Sequence, residues 1–450
     1  MASTQLTRTF TAGNRKTYTI SLWLKRSSIG SSPNYQAVFL ASGGDDGIFF
    51  KNDGTLDCFF HGVEKRTNRV FRDTNAWYHI MVAVDTTQST ASDRLKIYVN
   101  GEQETSFAYN SGDPAQDNEN LFNNSGGVNR IGNHSSSNYQ FDGLMSHIHY
   151  CDGTALAPTV FGSTDSTTGE WKINTSPSFT PGTNGFTILK DGNTITDQSA
   201  NSNNFTLASG TLTKSEDCPS NVFCTLNPLQ EPLPAQAVEY SFGNTKFAGN
   251  SSSWQRIYGT IGANTGKYYY EFKCLNSSGA GDALRIGWDS IDSINSGTDN
   301  YYSGLTLDRD GKIRGGEDGY NGYSPNAVQM SAAYSGGNFS FTTNDILGMA
   351  IDIDNETFSV YKNGNLEINA QSYSSYSNCS LLNSKGHFIA PSVNWYSSSG
   401  NGNRSCFNFG NGYFETTAIS SEGTNASGIG KFEYDVPTGY TAFSTKGLNE

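Results

Sequence analysis

A strand that runs straight into an Asn-Gly pair occurs twice in this chain, as LKIYVNGE at 95–102 and as FSVYKNGN at 358–365, and the two Asn residues stand 263 positions apart. Asn and Gly accept positive φ at both central positions of a type I′ turn, the connection whose twist suits two antiparallel strands. Before the first pair, Leu95, Ile97 and Val99 alternate with polar residues, and the upstream run YHIMVAVD sets Ile80, Val82 and Val84 on one face of a partner strand. The second copy repeats the pattern with Leu347, Met349, Ile351 and Ile353 in DILGMAIDID, followed by Phe358 and Val360 in register with Leu95 and Ile97. Tyr98 and Tyr361 match on the opposite face. Two similar sandwiches in tandem account for the echo.

Length and composition agree with that reading. At 450 residues the chain exceeds one ordinary core. Only 16% of residues are charged while 13% are aromatic and 49 are Gly, a balance that suits many short strands and turns. Turns such as NDGT, KDGN and DRDGK punctuate the chain, and helical periodicity is absent. The expected fold is all-β, two antiparallel jelly-roll sandwiches. The expected division is a first sandwich over 1–165 and a connecting segment over 166–234, partly packed on it and ending in a stiff linker at Pro228, Pro232 and Pro234; the second sandwich follows over 235–450.

Several function classes are disfavoured by charge and motif content. A net charge of −13 argues against general nucleic-acid binding, which needs an excess of Lys and Arg. The seven cysteines, Cys58, Cys151, Cys218, Cys224, Cys274, Cys379 and Cys406, are scattered and lack zinc or redox spacing, so they are expected to be reduced. The start of the chain has no apolar signal region and no later run is long enough to span a membrane, so assembly in a cytoplasm without membrane insertion is expected.

Charge is nevertheless uneven. Residues 1–165 carry −3 and the remainder −10, and the first 44 residues hold Arg8, Arg15, Lys16, Lys25 and Arg26 with no acid among them. The N-terminal edge therefore reads as locally basic, and Arg8, Arg15 and Lys16 as a docking surface. A strand edge guarded by solvated cations is the plainer alternative.

The motifs YTISLWLKRSS, NAWYHIMVAVD, LKIYVNGE and FDGLMSHIHYCDGTALAPTVFG resemble the laminin-G/pentraxin type of concanavalin A-like domain. In the second half TGKYYYEFKC, LRIGWDS, DILGMAIDIDNETFSVYKNG, HFIAPSVN and CFNFGNGYF resemble a SPRY domain, another concanavalin A-like sandwich. Their order, with CPSNVFCTLNPL between them and YDVPTGYTAFST after them, is similar to structural proteins of phages. That resemblance implies a virion-surface protein assembled in the host cytoplasm, with other virion proteins as partners and homo-oligomers, trimers among them. It further implies a tail-fibre adhesin contacting host-surface glycan or protein, or alternatively a capsid fibre, knob or decoration protein that cements the shell.

Catalysis finds little support. Glycoside hydrolases on such sandwiches need two opposed carboxylates, one with a raised pKa. Glu102 and Glu104 follow a turn, and Asp352, Asp354 and Glu356 end a strand in the DNET turn, where a structural role is expected. The spacing of His147 and His149 places both rings on one strand face, where His61, His79 or His134 would have to complete a metal site, but no carboxylate or Cys lies at ligand spacing, and sheet packing is the simpler reading. No metal is therefore assigned, although Asp45 and Asp46 in GGDDG leave a structural calcium open, as laminin-G-like domains often use Asp and backbone oxygens. What the second half does offer is Tyr set among Ser, Gly and Asn, the composition of recognition loops. Tyr301, Tyr302, Tyr320, Tyr323, Tyr373, Tyr376, Trp395 and Tyr396 are the expected ligand-binding residues.

Overall fold

Both Asn-Gly pairs form the turns that their residues favour. In the computed structural model Asn100 and Gly101 have φ of 49° and 81°, and Asn363 and Gly364 have 48° and 82°. The Asn100 side-chain oxygen accepts the His79 N–H at 2.8 Å while the Asn100 N–H donates to the His79 carbonyl at 2.9 Å. Asn363 and Ile346 repeat the pair of bonds at 2.9 and 2.8 Å. The residues described are 4–29, 34–43, 46–134, 139–190, 194–229, 238–249, 255–276, 283–291, 304–309, 313–315, 328–329, 340–374, 382, 386–396 and 403–449.

The chain divides into two units. The first runs to Lys214 and takes in Cys218–Ser220; the second comprises Ser215–Asp217 and Asn221–Glu450. This division lies upstream of the Pro-rich stretch suggested by the sequence, because Phe223, Cys224 and Leu226 are buried in the second unit. Conversely, Phe186, Ile188 and Phe205 of the expected connecting segment are buried in the first core. Pro232 and Pro234 lie outside the described residues.

The strands of the first unit are, in order, β1 (Gln5–Thr9), β2 (Thr17–Arg26), β3 (Tyr35–Leu40), β4 (Gly47–Lys51), β5 (Thr55–Phe60), β6 (Val63–Val70), β7 (Tyr78–Asp85) and β8 (Leu95–Val99). They continue with β9 (Glu102–Gln103), β10 (Phe107–Asn110), β11 (Val128–Ile131), β12 (Gly143–Asp152), β13 (Gly162–Thr164), β14 (Trp171–Ile173), β15 (Phe186–Ile188) and β16 (Thr206–Ser209). One sheet has the order β10-β6-β5-β4-β3-β11-β1-β16 and the other β15-β12-β2-β7-β8-β9. Alternation aims Leu56, Cys58 and Phe60 of the first sheet and Ile80, Val82, Val84, Leu95, Ile97 and Val99 of the second into one core. Phe39, Phe122, Tyr150 and Phe186 interlock there at centroid separations of 5.4 to 6.1 Å, within the range of favourable ring contacts.

The second unit repeats the plan with β17 (Val238–Ser241), β18 (Lys246–Gly249), β19 (Gln255–Tyr258), β20 (Lys267–Asn276), β21 (Ala283–Ser290), β22 (Leu305–Asp308) and β23 (Ile313–Gly315). After these come β24 (Val328–Gln329), β25 (Ile346–Asp352), β26 (Thr357–Lys362), β27 (Asn365–Ser372), β28 (Ile389–Tyr396) and β29 (Asn403–Asn408). Their sheets are ordered β17-β18-β29-β20-β25-β26-β27, with Thr441–Ala442 pairing parallel to β20, and β19-β28-β21-β22-β23-β24. The repeated phrase also has the same register. Val82 faces Ile97 and Val84 faces Leu95, as Met349 faces Val360 and Ile351 faces Phe358. The fold is all-β, as expected from the sequence, and no helix among the described residues is long and apolar enough to cross a membrane.

A sandwich sheet that carries apolar residues on its outer face must cover them, and each unit does so with a later segment of chain. In the first, Phe161 and Phe179 with Leu156 and Val160 pack on Met81, Ala83 and Tyr98. In the second, Phe432 and Val436 with Ile429 and Tyr440 pack on Tyr269, Ala350 and Tyr361. Tyr98 and Tyr361, the matched pair of the sequence, thus do the same work. Each covering segment also backs its hairpin turn with an aromatic ring. Trp171 lies against Gly101, where an added Cβ would enter the indole, and Tyr434 lies so close to Gly364 that a Cβ would stand 2.8 Å from its ring. Glu271 on β20 fixes the second segment by accepting the N–H groups of Glu433 and Tyr434, both at 2.9 Å, and the Asn408 amide at 3.0 Å.

Gly101→Ala and Gly364→Ala should each lower the thermal midpoint of the unit that contains them. Left-handed backbone and overpacking together are expected to cost about 2–4 kcal/mol. Calorimetry of the whole chain, with tryptic mapping to assign transitions, checks this; an unchanged midpoint would show that the rings do not brace the turns.

Candidate functional site

The residues expected to bind ligand do not gather into one site. Tyr373 and Trp395 are buried at 0% and 1% exposure, the first inside the second core and the second packed on Phe247 at 5.0 Å. Alternation along β28 sends Trp395 inward with Val393. Tyr396 closes β28, and Tyr301, Tyr302, Tyr320, Tyr323 and Tyr376 lie outside the described residues.

The N-terminal cations are not a free basic edge. Arg15 donates to Glu119 at 2.7 Å and to the Asn120 carbonyl at 2.6 Å, and Lys16 pairs with Asp117 at 3.2 Å. Arg8 bonds Asn203 and lies 4.9 Å above the Phe10 ring, and burial lowers its pKa. Lys25 and Arg26 are buried; Lys25 donates to Asn75 at 2.9 Å and Arg26 to the Phe71 carbonyl at 3.0 Å. The acids that neutralise Arg15 and Lys16 come from about a hundred residues downstream, beyond any local reading of charge.

The acids weighed for catalysis have structural partners. Arg69 holds Glu104 at 2.5 Å and Glu102 at 3.5 Å. Burial acts to raise the pKa of Asp352, but the bonds from Asn355 and the Lys267 ammonium at 2.9 Å outweigh it and hold the group below the usual carboxylate range. Asp354 accepts the Gly266 N–H at 3.1 Å, and Glu356 sits in the turn with φ of 53°. Asp45, half of the calcium motif, lies outside the described residues. The six described cysteines are free thiols, Cys58, Cys151, Cys218, Cys224, Cys274 and Cys406.

His79 and His149 are packed between sheet and covering segment. A β-bulge between Ser146 and His149, with His147 at φ 48°, interrupts the simple alternation that the sequence implies. His149 shares a hydrogen bond at 2.9 Å with Thr187 and stacks on Phe161 at 5.4 Å. His79 accepts the Trp171 indole N–H at Nδ1, 3.1 Å away, so its proton sits on Nε2 and is donated to Ser21 at 2.9 Å. His61 meets the Tyr18 hydroxyl at 3.2 Å. Burial lowers the pKa of His79 and His149 to about 3 and of His61 to about 4. Among the described residues no group of three or more His, Cys, Asp or Glu side chains could hold a metal ion.

Among the described residues, the outer faces of the other two sheets are not covered by the two apolar segments. In the second unit this face is polar and buried: Arg256 pairs with Asp289, Arg285 pairs with Asp308 at 2.8 Å, and Ser392 and Asn394 are 1% exposed. In the first unit it carries Tyr35, Phe49, Phe59 and Tyr139 as an aromatic cluster, with Lys51, Asp57, Glu64, Arg66 and Tyr109 beside it. Asp57 is wholly buried, and burial, with Glu64 adding to it, pushes its pKa up to about 7 against Lys51 and Arg66. The signal for Asp57 is visible in the sequence as a lone acid inside the apolar strand TLDCFF.

One family model and several solved structures are similar to parts of the chain. Residues 2–160 match the laminin-G family model Laminin_G_3, of the concanavalin A-like lectin/glucanases superfamily. The matched residues lie within the first unit, which is similar over that span to a laminin-G-type, concanavalin A-like domain. No curated protein matches the chain. Among solved structures, the SPRY domain of human HERC1 is similar at 16% identity and a TM-score of 0.28, over 44% of this chain and 99% of that one. A heptameric SAP-like pentraxin from Limulus polyphemus is similar at 15% identity and 0.26, over 35% and 72% of the two chains. A Bacteroides ovatus protein named for carbohydrate binding is similar at 15% identity and 0.31, over 46% and 60%.

The depressed histidines set a pH dependence. Their folded pKa values lie below the unfolded value, so below about pH 6.5 the unfolded chain takes up protons that the folded first unit refuses, and stability falls as pH falls. By pH 5 each of His61, His79 and His149 is expected to cost about 2 kcal/mol. Asp57, whose folded pKa is raised, gains stability over the same interval and offsets roughly one of the three. Urea midpoints between pH 7.5 and 5 should therefore decline for the first unit, and His79→Phe should flatten the decline; a flat wild-type profile would contradict it.

Proposed function

We propose that the chain is a non-catalytic binding protein of a phage virion surface, a tail-fibre or adhesin component whose first unit contacts host-surface glycan. The observation that carries the binding reading is the laminin-G match over 2–160 combined with an outer sheet face of Tyr and Phe beside charged residues of both signs. Aromatic faces suit the apolar C–H face of a sugar ring, while neighbouring charged groups orient its hydroxyls. The non-catalytic reading is supported by the engagement of Glu102, Glu104, Asp352 and Asp354 with their own partners. The virion setting is supported by the order of the two sandwich types and by the motifs that join and close them.

A second reading has its own observation. The strand β16 ends its sheet, and all four of its residues are exposed, Leu207 among them at 39%. An exposed strand at the end of a sheet is a template for a neighbouring subunit's strand, which favours a decoration protein that cements a shell.

An array of bacterial surface polysaccharides probed with the labelled full chain separates the two. Saturable binding to at least one polysaccharide without its cleavage is expected; a blank array from folded protein would favour cementing, and cleavage would refute the non-catalytic reading. Docking to other virion proteins through Arg8, Arg15 and Lys16 is, on this proposal, contact by a mixed-charge edge that includes Asp117 and Glu119. Replacing all three cations with Gln should then lower incorporation into particles several-fold, and full incorporation would remove this edge from the assembly.

A further inference from the structure

Asp57 presents an arrangement that the fold alone does not explain. Both carboxyl oxygens are buried without a hydrogen-bond partner among the described residues, although cations stand on both neighbouring strands. Arg66, directly opposite on β6, leaves its own buried Nε without a partner and lays its guanidinium 5.6 Å from the Tyr109 ring centroid. Lys51 on β4 gives its ammonium to the Tyr35 hydroxyl at 3.1 Å and lies 4.6 Å over that ring. An acceptor and two kinds of donor thus sit side by side on one sheet face, each engaged with an aromatic neighbour or with nothing. Burying unmatched polar groups is costly, and such groups persist where a ligand completes them.

We propose that this face of the first unit is a saccharide site, in which a sugar ring stacking on Tyr109 displaces the Arg66 guanidinium from that ring and so opens the buried Asp57 to adjacent hydroxyls, which donate to Asp57 and accept from Arg66 and Lys51. The inference rests on the glycan-binding reading above and assigns it a place. The charge pattern selects the ligand class. Asp57 and Glu64 repel an anion, Lys51 and Arg66 repel a cation, and a neutral polyhydroxyl compound brings donor and acceptor on the same atom. The raised pKa of Asp57 agrees, because the carboxyl accepts a hydrogen bond from a sugar hydroxyl when ionised and donates one when protonated. Tyr109, on the edge strand β10, is 44% exposed and Arg66 is partly exposed, so the approach is from that edge.

The test is isothermal titration of the full chain with neutral hexasaccharides of the malto, cello, xylo, laminari and chito series at millimolar concentration. At least one should bind, and Asp57→Asn should weaken it roughly tenfold or more, the scale of a lost charged hydrogen bond. Arg66→Gln should weaken the same ligand. Asp57→Asn should also raise the thermal midpoint of the first unit at pH 8, where the wild-type carboxyl is largely ionised, which keeps loss of binding distinct from loss of fold. Binding that both variants retain would overturn this site and leave the adhesin reading standing. Silence across the panel from a chain that still binds the polysaccharide array would also overturn the site alone, whereas silence in both would take the adhesin reading with it.

Discussion

A side-chain oxygen on Asn100 takes the N–H of His79, and one on Asn363 takes the N–H of Ile346. These bonds close the central hairpin of each unit at the point where the backbone turns through positive φ, and they fix the register of the two strands behind it. A slip of one residue would turn Val82, Ile97 and their counterparts out of the core. The turn also decides where a neighbouring ring can rest. Only Gly leaves room for Trp171 in one unit and Tyr434 in the other. The local chemistry of two residues is in this way tied to the course of chain segments far away in sequence.

From that constraint follows the contrast between the two outer faces of each sandwich. The sheet containing the hairpin has apolar residues on both sides and is covered by a returning segment, held by the His79–Trp171 bond in the first unit and by Glu271 in the second. The other sheet keeps charged and polar groups on its outer side. In the first unit those groups include the Asp57 carboxyl, whose two oxygens have no hydrogen-bond partner among the described residues. Covered faces serve stability here, and the uncovered face of the first unit is the one to which the proposed saccharide site is assigned.

Charge illustrates how far sequence neighbours mislead. An N-terminal stretch with five cations and no acid reads as a basic edge, yet strand pairing brings Asp117 and Glu119 beside Lys16 and Arg15, and buries Lys25 and Arg26 altogether. The buried Arg26 keeps its charge over the Phe50 ring at 4.5 Å and in bonds to a carbonyl, and burial lowers its pKa to about 10. Net charge along the chain is a sum over sequence, whereas the field at a surface is a sum over space.

The sequence by itself determined the all-β class, the two hairpins with their turn type, the inward residues of the strands that form them and the presence of two units, because each of these depends on alternation or turn chemistry within a few residues. It also contained Asp57 in an apolar strand, without showing which side of the sheet lay covered. Tertiary structure alone decided that Tyr373 and Trp395 are core residues, that His79 and His149 are clamped under a returning segment, and that the unit boundary precedes the prolines. Those outcomes depend on contacts between residues tens to hundreds of positions apart, for which a two-residue period has no information.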